Sequence, residues 1–150
     1  MKTRTNIAAA SFINGFNCAQ AVFSTYAPLL KIKEKDALRI ATGFGGGMGR
    51  LQEACGAVTG AFMVIGCKYG MMDPADTTVK EKAYSLVQEF SRRFQKLHGS
   101  ISCRELLGCD LNTAEGKQQL KEKDLSNQVC LPCVRDAAKI IEEILFSVGD

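Results

Sequence analysis

Proline is scarce in this chain, with three in 150 residues, and runs of β-branched residues are scarcer still. Little therefore interrupts helix or favours strand. There is no internal repeat, no low-complexity segment and no persuasive strand alternation. An excess of charge is lacking too. The net charge is +3, with 19 Lys and Arg scattered among 16 Asp and Glu. Such a mixed surface argues against nucleic acid or an anionic membrane as partner. A membrane span is not expected either. Spanning takes about 20 apolar residues, and the longest uncharged run, 54–67, is closed off by Glu53 and Lys68. The mildly apolar run from Ile7 to Ile13 lies between Asn6 and Asn14 and has no small-residue cleavage site. It reads as the start of a helix rather than an export signal, so a reducing, cytoplasmic setting is expected. Acidic residues show no local pairing for acid–base hydrolysis. The single histidine, His98, precedes Gly99 and reads as a helix C-terminal cap ahead of a metal ligand.

What is abundant is glycine in one place and cysteine throughout. The length fits one domain over 1–150. Its fold class reads as all-α, a compact bundle of about five to seven helices. Residues 3–13 look helical up to Gly15. Asn17, with Gln20 three positions on, predicts a capping box for a helix running to about Ala27. A short helix over 33–41 is expected to turn Ala37, Leu38 and Ile40 inward. After a glycine-rich loop, Gly43–Gly49, the uniformly apolar stretch at about 52–69 reads as the central helix, with Gly70 as a left-handed residue closing it. Val79, Ala83, Leu86, Val87, Phe90, Phe94 and Leu97 mark an amphipathic helix that ends at His98. Ser102 and Glu105 predict another capping box, and 113–123 an exposed polar helix. Leu131-Pro132 opens the last helix, whose apolar face is Val134, Ala137, Ala138, Ile141, Ile144, Leu145 and Val148.

The glycine loop is not a nucleotide motif. Arg50 and Leu51 follow Gly49 where a phosphate loop requires Lys and Ser or Thr, and the Gly-x-Gly-x-x-Gly register fails at Met48 and at Arg50. Gly56 and Gly60 form a Gly-x-x-x-Gly, expected to let a neighbouring helix pack against bare backbone.

Seven cysteines is an odd number, so they cannot all pair internally. Cys18, Cys55, Cys103 and Cys130 each fall at an expected helix start. A helix N-terminus carries a partial positive charge, which favours the thiolate, the form that binds metal or attacks. The four lie 27 to 48 residues apart, unlike the local ligand pairs of zinc fingers and ferredoxins. Any shared site must be assembled by the tertiary fold, within one subunit or across a homodimer. Cys130-Leu131-Pro132-Cys133 is a Cys-x-x-Cys, the spacing of a dithiol redox pair. Val134 follows Cys133 where covalent haem attachment uses His, so covalent haem is not expected.

The segments Asn17-Cys18-Ala19-Gln20-Ala21-Val22, Gly43-Phe44-Gly45-Gly46-Gly47-Met48-Gly49, Cys55-Gly56-Ala57-Val58-Thr59-Gly60 and Ser102-Cys103-Arg104-Glu105-Leu106-Leu107-Gly108, followed by Cys130, resemble the bacterial and archaeal C_GCAxxG_C_C family of redox-active proteins. The resemblance runs from about residue 10 to 145 in the family's order. It implies four invariant cysteines, here Cys18, Cys55, Cys103 and Cys130, with Cys67, Cys109 and Cys133 as additions. Similar cysteine segments occur in the iron–sulfur part of split-Soret-type cytochromes. The expectation is an iron–sulfur cluster, of the 2Fe–2S type, on those four thiolates, serving electron transfer or redox sensing with a partner protein. Gly45, Gly46, Gly47 and Gly56 would bring backbone N–H groups to the cofactor. Thiol–disulfide exchange through Cys130 and Cys133 or a long-range cysteine pair is the alternative, and a structural zinc on the same ligands a third.

Overall fold

The structure, a computed structural model, describes residues 3–147. Val148, expected on the last apolar face, lies outside them. The described residues are helical throughout apart from turns and one isolated bridge, Ala54 with Ser102, so the all-α expectation holds.

Local capping explains where most helices begin. Thr3 accepts from the Asn6 amide and starts α1, Arg4–Ile13. Asn17 and Gln20 form the expected capping box ahead of α2, Cys18–Tyr26. A 3-10 turn through Pro28 leads to α3, Glu34–Ala41. Here Ala37 and Ala41 are buried, but Ile40 is 57% exposed, contrary to expectation. The two alanines are four residues apart and share a face, and Ile40 points about 100° away from Ala41.

The glycine stretch forms a short turn, α4, Gly45–Met48, with an unusual backbone. Gly46, Gly47, Met48, Gly49 and Arg50 all have positive φ, between 58° and 68°. This is a left-handed turn, a conformation that costs an L-residue roughly 1–2 kcal/mol. Glycine avoids that cost, but Met48 and Arg50 do not.

The central helix is α5, Gly56–Tyr69. It starts four residues later than the sequence suggested. Residues 52–55 are held away from helix by pairing elsewhere: the Cys55 amide donates to Ile101 O and the Cys103 amide to Glu53 O, both at 2.7 Å. Its closing residue also differs. Gly70 is extended, at φ −70°. It is glycine because a Cβ there would sit 2.3 Å from Gly66 O. Ala57, Val58, Ala61, Val64 and Ile65 are fully buried, and α2 lies against them.

Two long helices pack on α5. One is α6, Thr77–His98, closed by left-handed Gly99. Its Leu86, Phe90 and Phe94 are buried, whereas Val79 and Leu97 at its two ends are exposed. Burying each of the two phenylalanines contributes about 1.5–3 kcal/mol. Two shorter helices intervene: α7, Cys103–Leu107, capped by Ser102, and α8, Ala114–Glu122, capped by Thr113. A π-helical turn, Ser126–Cys130, then runs straight into α9, Leu131–Ser147, so Cys130 closes that turn rather than standing free before a helix start. Tyr26 Oη donates to Ala138 O at 2.8 Å and ties α2 to α9.

A second, smaller cluster gathers Cys103, Leu107, Cys109 and Leu111 beside the main core. Buried Gln52 fastens it there. Its Nε2 donates to Cys109 O and its Oε1 accepts from the Leu111 amide, both at 2.8 Å.

Candidate functional site

The helix starts that carry cysteine are drawn together by absent side chains. A Cβ on Gly56 would stand 3.0 Å from the Ala19 amide nitrogen and 3.2 Å from Cys18 Cβ. The start of α5 therefore lies directly on the start of α2. A Cβ on Gly47 would stand 2.7 Å from Cys103 Cβ, which brings the left-handed turn onto α7. The backbone bonds between 53–55 and 101–103 set Cys55 beside Cys103. The turn leading into α9 then brings Cys130, with Cys133 one helical turn further on.

Between these elements is a cavity of about 170 Å³. Cys18, Cys55, Cys103, Cys130 and Cys133 all line it. Gly46, Gly47 and Gly56 form part of the wall, and Phe12, Leu106, Leu107, Leu111, Leu120 and Val129 complete it with apolar groups. All four cysteines that resemblance picked out are thus on one cavity of one chain. Gly45 is not on the wall. It packs against the Asn17 side chain, 2.6 Å from where its Cβ would be. Cys67 is exposed, and Cys109 is buried off the wall in the smaller cluster.

Cys133 is the wall residue that the four-cysteine pattern leaves out. It is 1% exposed. The signal for it was the Cys-x-x-Cys, since residues three apart share a helical face. The hydrogen-bond partners of Cys130 and Cys133, however, are cysteines of other elements: Cys18 for Cys130 and Cys55 for Cys133.

These contacts polarise the thiols. The Cys133 hydrogen bond holds the Cys55 thiol below its ordinary value, and the Ala57 and Val58 amides at the start of α5 add to the effect against the opposing burial. Cys130 is likewise lowered by its hydrogen bond from Cys18. The donors move the other way. Cys18 is pushed up by its bond to Cys130 and by burial, and Cys133 by its bond to Cys55 and by burial. Cys103 is pushed up to about 12, by burial first and then by its neighbours Cys55 and Cys130. Each pair therefore consists of one thiol held below its ordinary value and one that donates to it.

His98 does not cap its own helix. Its Nδ1 lies 3.8 Å from Cys133 Sγ and its Nε2 2.8 Å from Asp136 Oδ2. Its ring packs on Phe94, with centroids 4.6 Å apart. Sequence reading missed this contact, because Asp136 and Cys133 lie 38 and 35 residues away on α9.

Among the described residues, no group of three or more His, Cys, Asp or Glu side chains converges closely enough to hold a single metal ion. The thiols meet in pairs around the cavity instead. No helix among the described residues is long and apolar enough to cross a membrane.

A model of the family described as "Putative redox-active protein (C_GCAxxG_C_C)" matches residues 16–144. No curated protein and no solved structure matches the chain. The matched span takes in all five wall cysteines, and the chain belongs to the C_GCAxxG_C_C family.

Proposed function

We propose that the cavity binds an iron–sulfur cluster of the 2Fe–2S type on cysteine thiolates, with Cys18, Cys55, Cys103 and Cys130 as the candidate ligands, and that the protein exchanges electrons with a partner protein. The observation that carries this reading is the convergence of five cysteines on one cavity of about 170 Å³. The residues fit such a group in kind. The donors are soft thiols, two of them held below their ordinary value by neighbouring thiols. Bound there, a cluster stores and releases single electrons.

The chain's own groups prepare the site. The Cys133 hydrogen bond, and after it the Ala57 and Val58 amides, hold the Cys55 thiol below its ordinary value. Gly47 and Gly56 remove side chains that would otherwise fill the wall. Phe12, Leu106 and Leu111 exclude water, which strengthens every charge interaction inside. Cys18 and Cys130 are only partly buried, so the electron path to a partner leaves on their side. The setting we propose is the reducing cytoplasm, where such thiols stay available.

A second reading is thiol–disulfide exchange, favoured by the pairs Cys18/Cys130 and Cys55/Cys133. Oxidation of one pair forms an S–S bond, releases two protons and passes two electrons to a partner disulfide, which becomes two thiols. Anaerobic reconstitution of the metal-free protein with ferrous iron and sulfide separates the readings. A brown protein holding iron and sulfide in equal amounts is expected. A colourless, metal-free protein whose thiols titrate in pairs overturns the cluster in favour of exchange. Stoichiometric zinc in the purified protein assigns the cavity a structural metal instead.

A further inference from the structure

The four candidate ligands leave one thiol of the cavity wall without a role. Cys133 lines the cavity and is 1% exposed. Beside it stands His98, the single histidine of the chain. Nδ1 of that ring lies 3.8 Å from Cys133 Sγ. Nε2 lies 2.8 Å from Asp136 Oδ2, and the ring rests on Phe94 with centroids 4.6 Å apart. One ring nitrogen is thus turned to the cavity wall and the other to a carboxylate.

These contacts also lead towards solvent. The His98 side chain is 15% exposed and that of Asp136 36%. Asp136 lines a surface groove between α6 and α9, together with Arg93, Lys96, Lys139 and Glu143. Arg93 and Glu143 pair with each other across it. The charged and titratable groups around His98 and Asp136 are therefore Cys133, Lys139 and Glu143 from α9 and Arg93 and Lys96 from α6, with Cys18, Cys55 and Cys130 behind Cys133.

Imidazole is the side chain whose ordinary charge change falls near neutral pH. A neutral ring whose Nε2–H donates to a carboxylate keeps a lone pair on Nδ1, and the carboxylate favours the charged ring. The apolar wall leaves little solvent inside the cavity to offset an added electron. His98 is placed to become positive one sulfur away from that charge.

We propose, on the cluster reading above, that His98 is the proton-accepting group of the cavity: when the cofactor takes one electron from the partner protein, His98 takes one proton from solvent at Nδ1, and it returns that proton when the electron leaves. Asp136 is the positioning residue that keeps Nδ1 turned to Cys133. One electron and one proton enter together, so the net charge of the site is unchanged. The reduced state binds the proton more tightly, so the potential falls as pH rises through the range in which His98 titrates and is level on either side.

The test reconstitutes wild type, His98→Gln and Asp136→Asn anaerobically with ferrous iron and sulfide, and measures the reduction potential from about pH 5 to about pH 9. The wild-type potential should fall over part of that range by up to about 59 mV per unit, the tenfold change in proton concentration converted for one electron. His98→Gln should give a level profile, near the wild-type value at high pH. Asp136→Asn should move the sloping region to lower pH, because the amide offers the imidazolium no opposite charge. A level wild-type profile overturns the inference, and so does a slope that survives in His98→Gln. Loss of iron in His98→Gln overturns it as well, by making His98 part of the binding site. The single histidine gives a second readout that needs no variant. Its ring C–H resonance, titrated in the oxidised and the reduced protein, should show the higher midpoint in the reduced form. Equal midpoints overturn the inference even where His98→Gln does not fold. A wild-type chain that takes up no iron removes the cluster reading, and this inference with it.

Discussion

A side chain on Gly60 would place its Cβ 2.8 Å from the Ala19 carbonyl oxygen, so α5 and α2 touch backbone to backbone. On α5 the same substitution has opposite outcomes at two positions. Gly60→Ala adds helix propensity of about 1 kcal/mol, but its methyl meets fixed backbone, and overpacking costs about 1–3 kcal/mol. The clash wins, because Ala19 can retreat only by separating two packed helices. Gly66 has nothing within 4 Å of its Cβ position, so Gly66→Ala should stabilise by about 1 kcal/mol. Urea unfolding of the two variants checks the pair. A more stable Gly60→Ala would show that the helices have room to part.

Gln52 is expected to be the most sensitive polar residue outside the cavity wall. Gln52→Ala strands a buried carbonyl and a buried amide, at a total cost of about 2–4 kcal/mol. Gln52→Glu keeps the acceptor for Leu111 but buries a charge with an oxygen facing Cys109 O, so at neutral pH it should be no more stable than the alanine variant. Hydrogen exchange at the Leu111 amide should quicken in the alanine variant.

Tyr26 predicts an alkaline loss of stability. Burial holds its phenol well above the ordinary value of 10, with the Glu142 charge adding and Arg4 opposing. The folded chain keeps a proton that the unfolded chain releases above about pH 10. Stability from this group is therefore level below pH 10 and falls as pH rises past it, by about 1.4 kcal/mol per unit. Tyr26→Phe should lose about 1 kcal/mol at neutral pH with its hydrogen bond and show a shallower alkaline decline. Denaturant midpoints measured in reductant across that range provide the comparison, and parallel curves for the two proteins would contradict it.

The cysteines away from the cavity provide the control for any cofactor experiment. Cys67 is exposed on α5 and Cys109 is buried off the wall. Cys67→Ser and Cys109→Ser should bind iron and sulfide as wild type does, whereas Cys18→Ser and Cys55→Ser should lose them. Cys109→Ser should also lower the denaturant midpoint, since it places a hydroxyl among Leu107 and Leu111. A loss of iron in Cys67→Ser would move the binding site off the cavity.

Much of this architecture is legible in the sequence where its causes are local. The Asn17–Gln20 box, the Ser102 cap and the Gly99 stop depend on neighbours within a few residues, and they lie where pattern places them. The start of α5 was not legible, because residues 52–55 are claimed by a segment nearly fifty residues away. Gly43–Gly49 announces a loop, but nothing in Met48 or Arg50 signals that they share its left-handed backbone. The cysteines could be named one by one, and the need for a tertiary site followed from their spacing. Which thiol meets which could not be read, since the pairs join α2 to the turn before α9 and the head of α5 to α9. His98 was misread for the same reason: its partners lie on another helix.

The order in which the wall is made has a consequence for biogenesis. Cys18 and Cys55 are synthesised early, and domains fold as units while the N-terminal parts emerge first. Until α9 docks, the cavity has no Cys130 or Cys133 and remains open to whatever iron, oxidant or chaperone the nascent chain meets. Whatever the cavity is proposed to bind would therefore meet the full set of wall thiols only after α9 has docked.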